Sequence, residues 1–212
     1  MTSTIFADLA IVVTVFAIVD PVGTLPFFVA LTQGFSPDDR NVILRRSVLV
    51  LGAVLGIFAL FGRFLFQAFG FTLAAFEIAG GILLFMVAYD MLRGEMARAK
   101  LAPQDRDEAI ARRDELSVVP LGIPLLAGPG AISTVMIYEG NASNSPVSIA
   151  ATFIAIAVTT VATFFILRYG EPILRALGRV GIMAMTRVLG LLLAAVGVQF
   201  VISGILGSFP SL

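Results

Sequence analysis

Six times along this chain an apolar run approaches the length that crosses a membrane. About 20 apolar residues in a helix span a hydrocarbon core of about 30 Å. The runs fall at residues 5–31, 42–62, 71–91, 118–138, 147–167 and 188–206. Lipid offers no partner to a backbone N–H or C=O, so each run must pair its own groups as a helix. The composition agrees: 58% of the residues are hydrophobic and only 13% charged, against roughly a quarter charged in a soluble domain. The expected fold is an all-α polytopic membrane protein with six transmembrane helices.

Two of the six runs are interrupted. The first carries Asp20, Pro21, Gly23 and Pro26 in its middle, within AIVDPVGTLPFFVALTQG. The fourth carries Pro120, Gly122, Pro124, Gly128, Pro129 and Gly130, within VVPLGIPLLAGPGAISTVM. Proline lacks the backbone donor and collides with the preceding turn, so a straight helix through either stretch is unfavourable. Such breaks persist at membrane depth only where protein or a water-filled cavity covers them. Pro21-x-Gly23 and Pro120-x-Gly122 match, and a second proline follows each. Paired interruptions in the two halves of a membrane chain point to a transporter binding site.

The chain is therefore expected to consist of two inverted three-helix repeats, 1–93 and 118–212, in one membrane domain, joined by a polar cytoplasmic loop at 94–117. Three spans per repeat is an odd number, so the second copy must be inverted. Residues 76–84 and 186–194 align as a further, weaker echo. The fourth segment is preceded by charged residues (RRDELS), so either it starts at the membrane surface or one broken stretch is re-entrant. The short apolar piece 64–69 is expected as a separate feature before Gly70. Of the 14 Lys and Arg, all except Arg63 fall in the connections 1–2, 3–4 and 5–6 or, like Arg45 and Arg46, in the first turn of the run beside them. The basic face is expected in the cytoplasm, with both termini outside. The first residues lack the basic segment of a cleaved signal peptide, so the first run is expected to be retained.

Asp20 is the sharpest functional candidate. It either holds a proton, Na⁺ or a substrate ammonium, or it caps the half-helix that follows, as Asp does at helix starts. The two roles are compatible. Gly23, Pro26, Gly128, Pro129 and Gly130 either end helices at a cavity or allow kinks and close helix contacts. A substrate carboxylate is expected at half-helix N-termini near Gly23–Thr24 and Gly128–Ala131. Thr24, Ser133 and Thr134 offer hydroxyl ligands, though such hydroxyls commonly bond their own helix backbone. Glu77 and Gln199 are secondary candidates, Glu77 facing either a pathway or the outer interface and Gln199 more readily an interhelical hydrogen bonder.

With no His and no Cys, thiol chemistry, disulfides and the usual metal ligands are absent. There is no Walker A motif or nucleophile elbow, and Asp20 has no second membrane acid for aspartyl catalysis. An enzyme is not expected. Net charge is zero, so there is no basic footprint for nucleic acid. The expected partners are a small-molecule substrate and membrane lipid, and a homo-oligomer is compatible with the sequence. No cofactor is expected beyond coupling to H⁺ or Na⁺.

Asp20-Pro21-Val22-Gly23-Thr24-Leu25-Pro26 resembles the D-P-x-G-x-x-P segment of the MarC family of integral membrane proteins. Residues 120–132, PLGIPLLAGPGAI, are similar to a second family block, and 78–85 and 187–200 to two more. The resemblance implies a six-span protein of a bacterial or archaeal inner membrane, grouped with LysE-type exporters. It also implies transport of small neutral amino acids such as glycine and alanine, driven by H⁺ or Na⁺. The alternatives are a non-transporting membrane scaffold or regulatory factor acting through the 94–117 loop, or an exporter of another small metabolite.

Overall fold

The computed structural model describes residues 2–93, 106–141, 146–175 and 178–208. The 94–105 part of the polar loop and the 142–145 part of the Gly/Asn/Ser-rich connection lie outside these residues. Among the described residues every regular element is helical. Helices α1 (Thr2–Val19) and α2 (Pro21–Leu31) meet at Asp20. Then come α3 (Pro37–Phe69), α4 (Leu73–Arg93), α5 (Arg106–Val118), a wide turn at Leu121–Leu126, α6 (Pro129–Asn141), α7 (Pro146–Arg175) and α8 (Gly178–Ser208). Five stretches are long and apolar enough to cross a membrane, and the bent combination of 110–126 with 129–139 makes a sixth if it counts as one span.

The interruption of the first run shrinks to one residue. Asp20 adopts φ 45°, ψ 65°, yet its N–H still bonds the Phe16 carbonyl and its carbonyl accepts from Thr24 N–H, both at 3.0 Å. Leu9–Leu31 therefore runs as one 23-residue stretch. Pro26 sits inside α2, where it removes only the donor for the Val22 carbonyl. The second interruption is a true bend of 61°. Leu125 N–H reaches back to Pro120 O (3.1 Å) and Ala127 N–H to Gly122 O (2.9 Å), both five residues away. Ile123 between them is extended at φ −135°, ψ 131°.

The expected separate piece at 64–69 does not exist; it is the last part of α3, a single helix of 33 residues. At 1.5 Å per residue that helix is about 50 Å long, more than the hydrocarbon thickness. Ser36 caps its start by accepting Asp39 N–H at 3.1 Å, and Gly70 at φ 69° ends it in the left-handed conformation that glycine adopts without strain. Phe66, Phe71 and Phe76 then pack together across the turn into α4.

The core lies where α7 packs on α1, α2 and α3, around fully buried Phe28, Leu31, Ile43, Leu51, Leu55 and Leu167. Helices α4 and α8 form a second unit, paired along their lengths. The pairing is antiparallel and backbone-close. A Cβ on Gly81 would lie 2.5 Å from Gly197 O, one on Gly204 would lie 2.5 Å from Ala74 O, and one on Gly190 would lie 3.2 Å from Ala88 O. The three α8 glycines are seven residues apart, so one small-residue stripe faces α4, the usual route to close helix approach in lipid. Away from these contacts the helices expose Leu49, Leu60, Val161, Leu191 and Val188, an apolar girdle for lipid.

Four of the arginines expected on the basic face, Arg40, Arg46, Arg113 and Arg168, gather at one end. Arg40 pairs with Glu171 (3.3 Å), Arg113 with Asp39 (3.3 Å) and Arg46 with Asp114. Arg168 bonds Asn41, and Ser47 Oγ donates to Ser117 O at 2.9 Å. These contacts tie the start of α3 to α5 and to the end of α7, so α5 is docked on the bundle rather than free.

Candidate functional site

The two interrupted stretches face each other across a cavity of about 850 Å³. One wall comes from α1 and α2, with Ile18, Asp20, Gly23, Thr24, Pro26 and Phe27. A second comes from Pro124, Leu125, Gly128, Gly130 and Ala131 around the bend, and α8 supplies Leu189, Leu193, Val196, Gln199 and Phe200. Leu84 is the contribution of α4. Among the described residues that line it, Asp20 is the charged one, and no Lys or Arg shares the wall.

The carboxylate of Asp20 is fixed by local geometry. Its Oδ1 accepts Gly23 N–H at 3.0 Å, so Asp20 is the cap of α2 as well as a wall of the cavity. A left-handed conformation at a non-glycine residue costs of order 1–3 kcal/mol, and such strain clusters at ligand sites. The cap also has a cost for the expected arrangement. Gly23 N–H and Thr24 N–H already bond Asp20, so they cannot also meet a substrate carboxylate. The corresponding donors at the start of α6 are different. Ile132 N–H bonds Gly128 O at 3.0 Å, and the first-turn N–H groups of Gly130 and Ala131 precede that first intrahelical bond.

Thr24 is only 5% exposed and lines the cavity, and its hydroxyl makes no hydrogen bond among the described residues. That sets it apart from Thr32, Thr160 and Thr163, whose hydroxyls return to the carbonyl four residues back at 2.7 Å. Gln199 sits in the cavity wall with its Nε2 3.4 Å from Ser203 Oγ in the next turn; among the described residues it makes no interhelical bond of the kind expected.

Four candidates stand apart. Pro129 is buried with its ring against Gly80, where a Cβ would lie 2.6 Å from Pro129 Cγ. Ser133 and Thr134 both bond the Gly130 carbonyl, at 3.0 and 2.7 Å. Ser133 lines a separate, smaller pocket of about 200 Å³ with Arg63, Leu73, Met136 and Ile137. Glu77 is half-buried near the start of α4, away from either space. The apolar walls, notably Phe27, Leu84, Leu193 and Phe200, were not visible as site residues. In sequence, a leucine that faces a cavity is the same as one that faces lipid. Among the described residues no three acidic side chains come together as a metal site requires.

A family profile described as MarC family integral membrane protein matches residues 5–209. A UPF0056 membrane protein of Pyrococcus abyssi is 41% identical over 197 residues, covering 93% of each chain. The UPF0056 membrane protein YhcE of Escherichia coli is 36% identical over 197 residues, 93% of this chain and 91% of its own. YvbG of Bacillus subtilis, of the same description, is 34% identical over 200 residues, 94% of each. No solved structure matches.

Proposed function

This chain belongs to the MarC family of integral membrane proteins, and from that premise we propose that it is a secondary transporter of small neutral amino acids such as glycine and alanine, coupled to H⁺ or Na⁺. The observation that carries the reading is the shared cavity. Two Pro/Gly-interrupted stretches, about a hundred residues apart in sequence, line one space beside the single carboxylate of its wall. A zwitterion matches that space. Its ammonium, or the coupling cation, meets Asp20, and its carboxylate meets the N–H groups of Gly130 and Ala131, at the positive end of α6. Thr24 supplies a hydroxyl that the fold leaves unused.

Access alternates between the two faces as the α4–α8 unit rocks against the α1–α2–α3–α7 core, with the cavity at the seam. The antiparallel pairing of α4 with α8 supports two inverted three-helix repeats related through that pair. The basic end carries Arg40, Arg46, Arg113 and Arg168, which supports a cytoplasmic placement of that end and an outside location for both termini. Bacterial and archaeal relatives support the cytoplasmic membrane. The competing scaffold role through residues 94–117 gains nothing from α5, whose Arg113 and Asp114 are engaged with α3.

The test is uptake of labelled neutral amino acids into proteoliposomes of purified protein under imposed H⁺ or Na⁺ gradients. Wild type is expected to accumulate label, and Asp20→Asn to lose at least tenfold of the gradient-driven rate. Equal uptake by wild type and Asp20→Asn would remove Asp20 from the mechanism.

A further inference from the structure

We propose that the smaller pocket at Arg63 is a second substrate station, which holds the carboxylate of a small zwitterionic amino acid on its way to or from the Asp20 cavity. The inference rests on the transport reading above and adds a site which that reading does not use. Three observations carry it.

The first is alignment. Helices α4 and α6 touch where the Pro129 ring packs on Gly80, whose Cβ would lie 2.6 Å from Pro129 Cγ. To one side of that contact is the larger cavity, lined by Leu84 of α4 and by Gly130 and Ala131 of α6. To the other side is the smaller pocket, lined by Leu73 of α4 and by Ser133, Met136 and Ile137 of α6. Successive turns of α6 thus wall two successive spaces, with the Pro129–Gly80 contact between them. Leu73 opens α4 and Arg93 closes it, so the smaller pocket lies toward the end opposite the basic cluster.

The second is charge. Arg63 is the one basic residue that the sequence places toward that opposite end. Arg40, Arg46 and Arg113 are all ion-paired at the basic end. Arg63 is exposed and makes no hydrogen bond or ion pair among the described residues. A guanidinium presents its donors as a planar fork that fits a carboxylate with two bonds. Ser133 Oγ spends its proton on Gly130 O at 3.0 Å, so a hydroxyl's remaining lone pairs accept. A cation and an acceptor in one pocket match the two ends of a zwitterion.

The third is size. Pockets for drug-sized ligands begin at about 300 Å³, and this one holds about 200 Å³. It suits a molecule of a few heavy atoms, which is the substrate class of the transport reading.

The experiment uses the intact chain, which has no Cys. Ile137→Cys puts a single thiol in the pocket wall, at a residue 56% exposed. Its rate of reaction with a membrane-impermeant maleimide is measured in phosphatidylcholine proteoliposomes. Glycine or alanine is expected to slow labelling at least threefold, and methylamine, which lacks the carboxylate, to leave it unchanged. In the same background Arg63→Gln is expected to abolish the protection, Arg63→Lys to keep part of it and Asp20→Asn to keep it whole. In uptake, an Arg63→Gln protein that melts like wild type is expected to raise KM for glycine at least fivefold with the maximal rate within twofold.

Protection that survives Arg63→Gln, or is absent while wild type still carries glycine or alanine, overturns the inference and leaves the transport reading intact. Vesicles containing phosphatidylglycerol supply the other arm. If that lipid slows labelling through Arg63 and the amino acids do not, the arginine belongs to a lipid phosphate and the inference is overturned. If wild type carries neither glycine nor alanine, the transport reading falls and the station falls with it.

Discussion

Asp20 and Gly23 occupy space that only a glycine can share. Asp20 Oδ1 accepts Gly23 N–H at 3.0 Å, and a Cβ on Gly23 would lie 2.1 Å from Asp20 Oδ2. The missing side chain at 23 therefore sets where the carboxylate points, and the carboxylate in turn caps α2 and lines the cavity.

Gly23→Ala should move that carboxylate without unfolding α2, because alanine suits a helix better than glycine. Gradient-driven uptake is expected to fall at least tenfold while the far-ultraviolet circular dichroism stays as in wild type. Full activity in Gly23→Ala would mean the carboxylate position is unimportant.

Thr24→Val separates binding from stability. The hydroxyl has no partner among the described residues, so its removal should not lower the melting temperature. Uptake should fall several-fold, with the loss in KM for the amino acid. A clear drop in melting temperature with transport intact would assign Thr24 to packing alone.

The α4–α8 seam should not tolerate side chains. Gly197→Val would place methyl groups against Gly81 O and the Phe85 backbone, 2.7 and 2.9 Å from its Cβ, and overpacking of this kind costs about 1–3 kcal/mol or more. Gly56 in α3 has nothing within 4 Å of its would-be Cβ. Gly56→Ala should therefore be neutral or stabilising by up to about 1 kcal/mol. Thermal melts of both variants in one detergent make the comparison, and equal melting temperatures would contradict the close pairing.

Orientation can be read because the chain contains no Cys. Asp38→Cys at the start of α3 and Gln67→Cys near its end place one thiol at each end of the same helix. A membrane-impermeant maleimide added to intact cells is expected to label position 67 and spare 38 until the membrane is permeabilised. The reverse pattern would invert the topology.

Much of this architecture is legible along the chain. Hydropathy locates the apolar runs, because lipid demands long self-paired helices, and Pro and Gly mark residues 17–34 and 118–136 as unusual. What those interruptions become is less legible. The Asp-Pro-x-Gly-x-x-Pro stretch reads as a wide break, yet capping by Asp20 carries the hydrogen bonds across it and leaves one non-helical residue. The 120–130 stretch does bend. Residues 64–69 read as a separate piece because Arg63 interrupts the apolarity, but one exposed arginine does not stop a helix.

Composition and spacing by themselves determined the class of protein, the places where helices are disturbed and the acid worth watching, since each of these follows from the chemistry of neighbouring residues. Only the tertiary structure decided that the Thr24 hydroxyl lines a cavity, that Pro129 packs on Gly80, and that Leu193 and Phe200 face the same cavity as Asp20. Those outcomes depend on which distant helix lies alongside. In a membrane chain, lipid-facing, helix-facing and cavity-facing positions draw on the same apolar residues, so hydropathy cannot separate them.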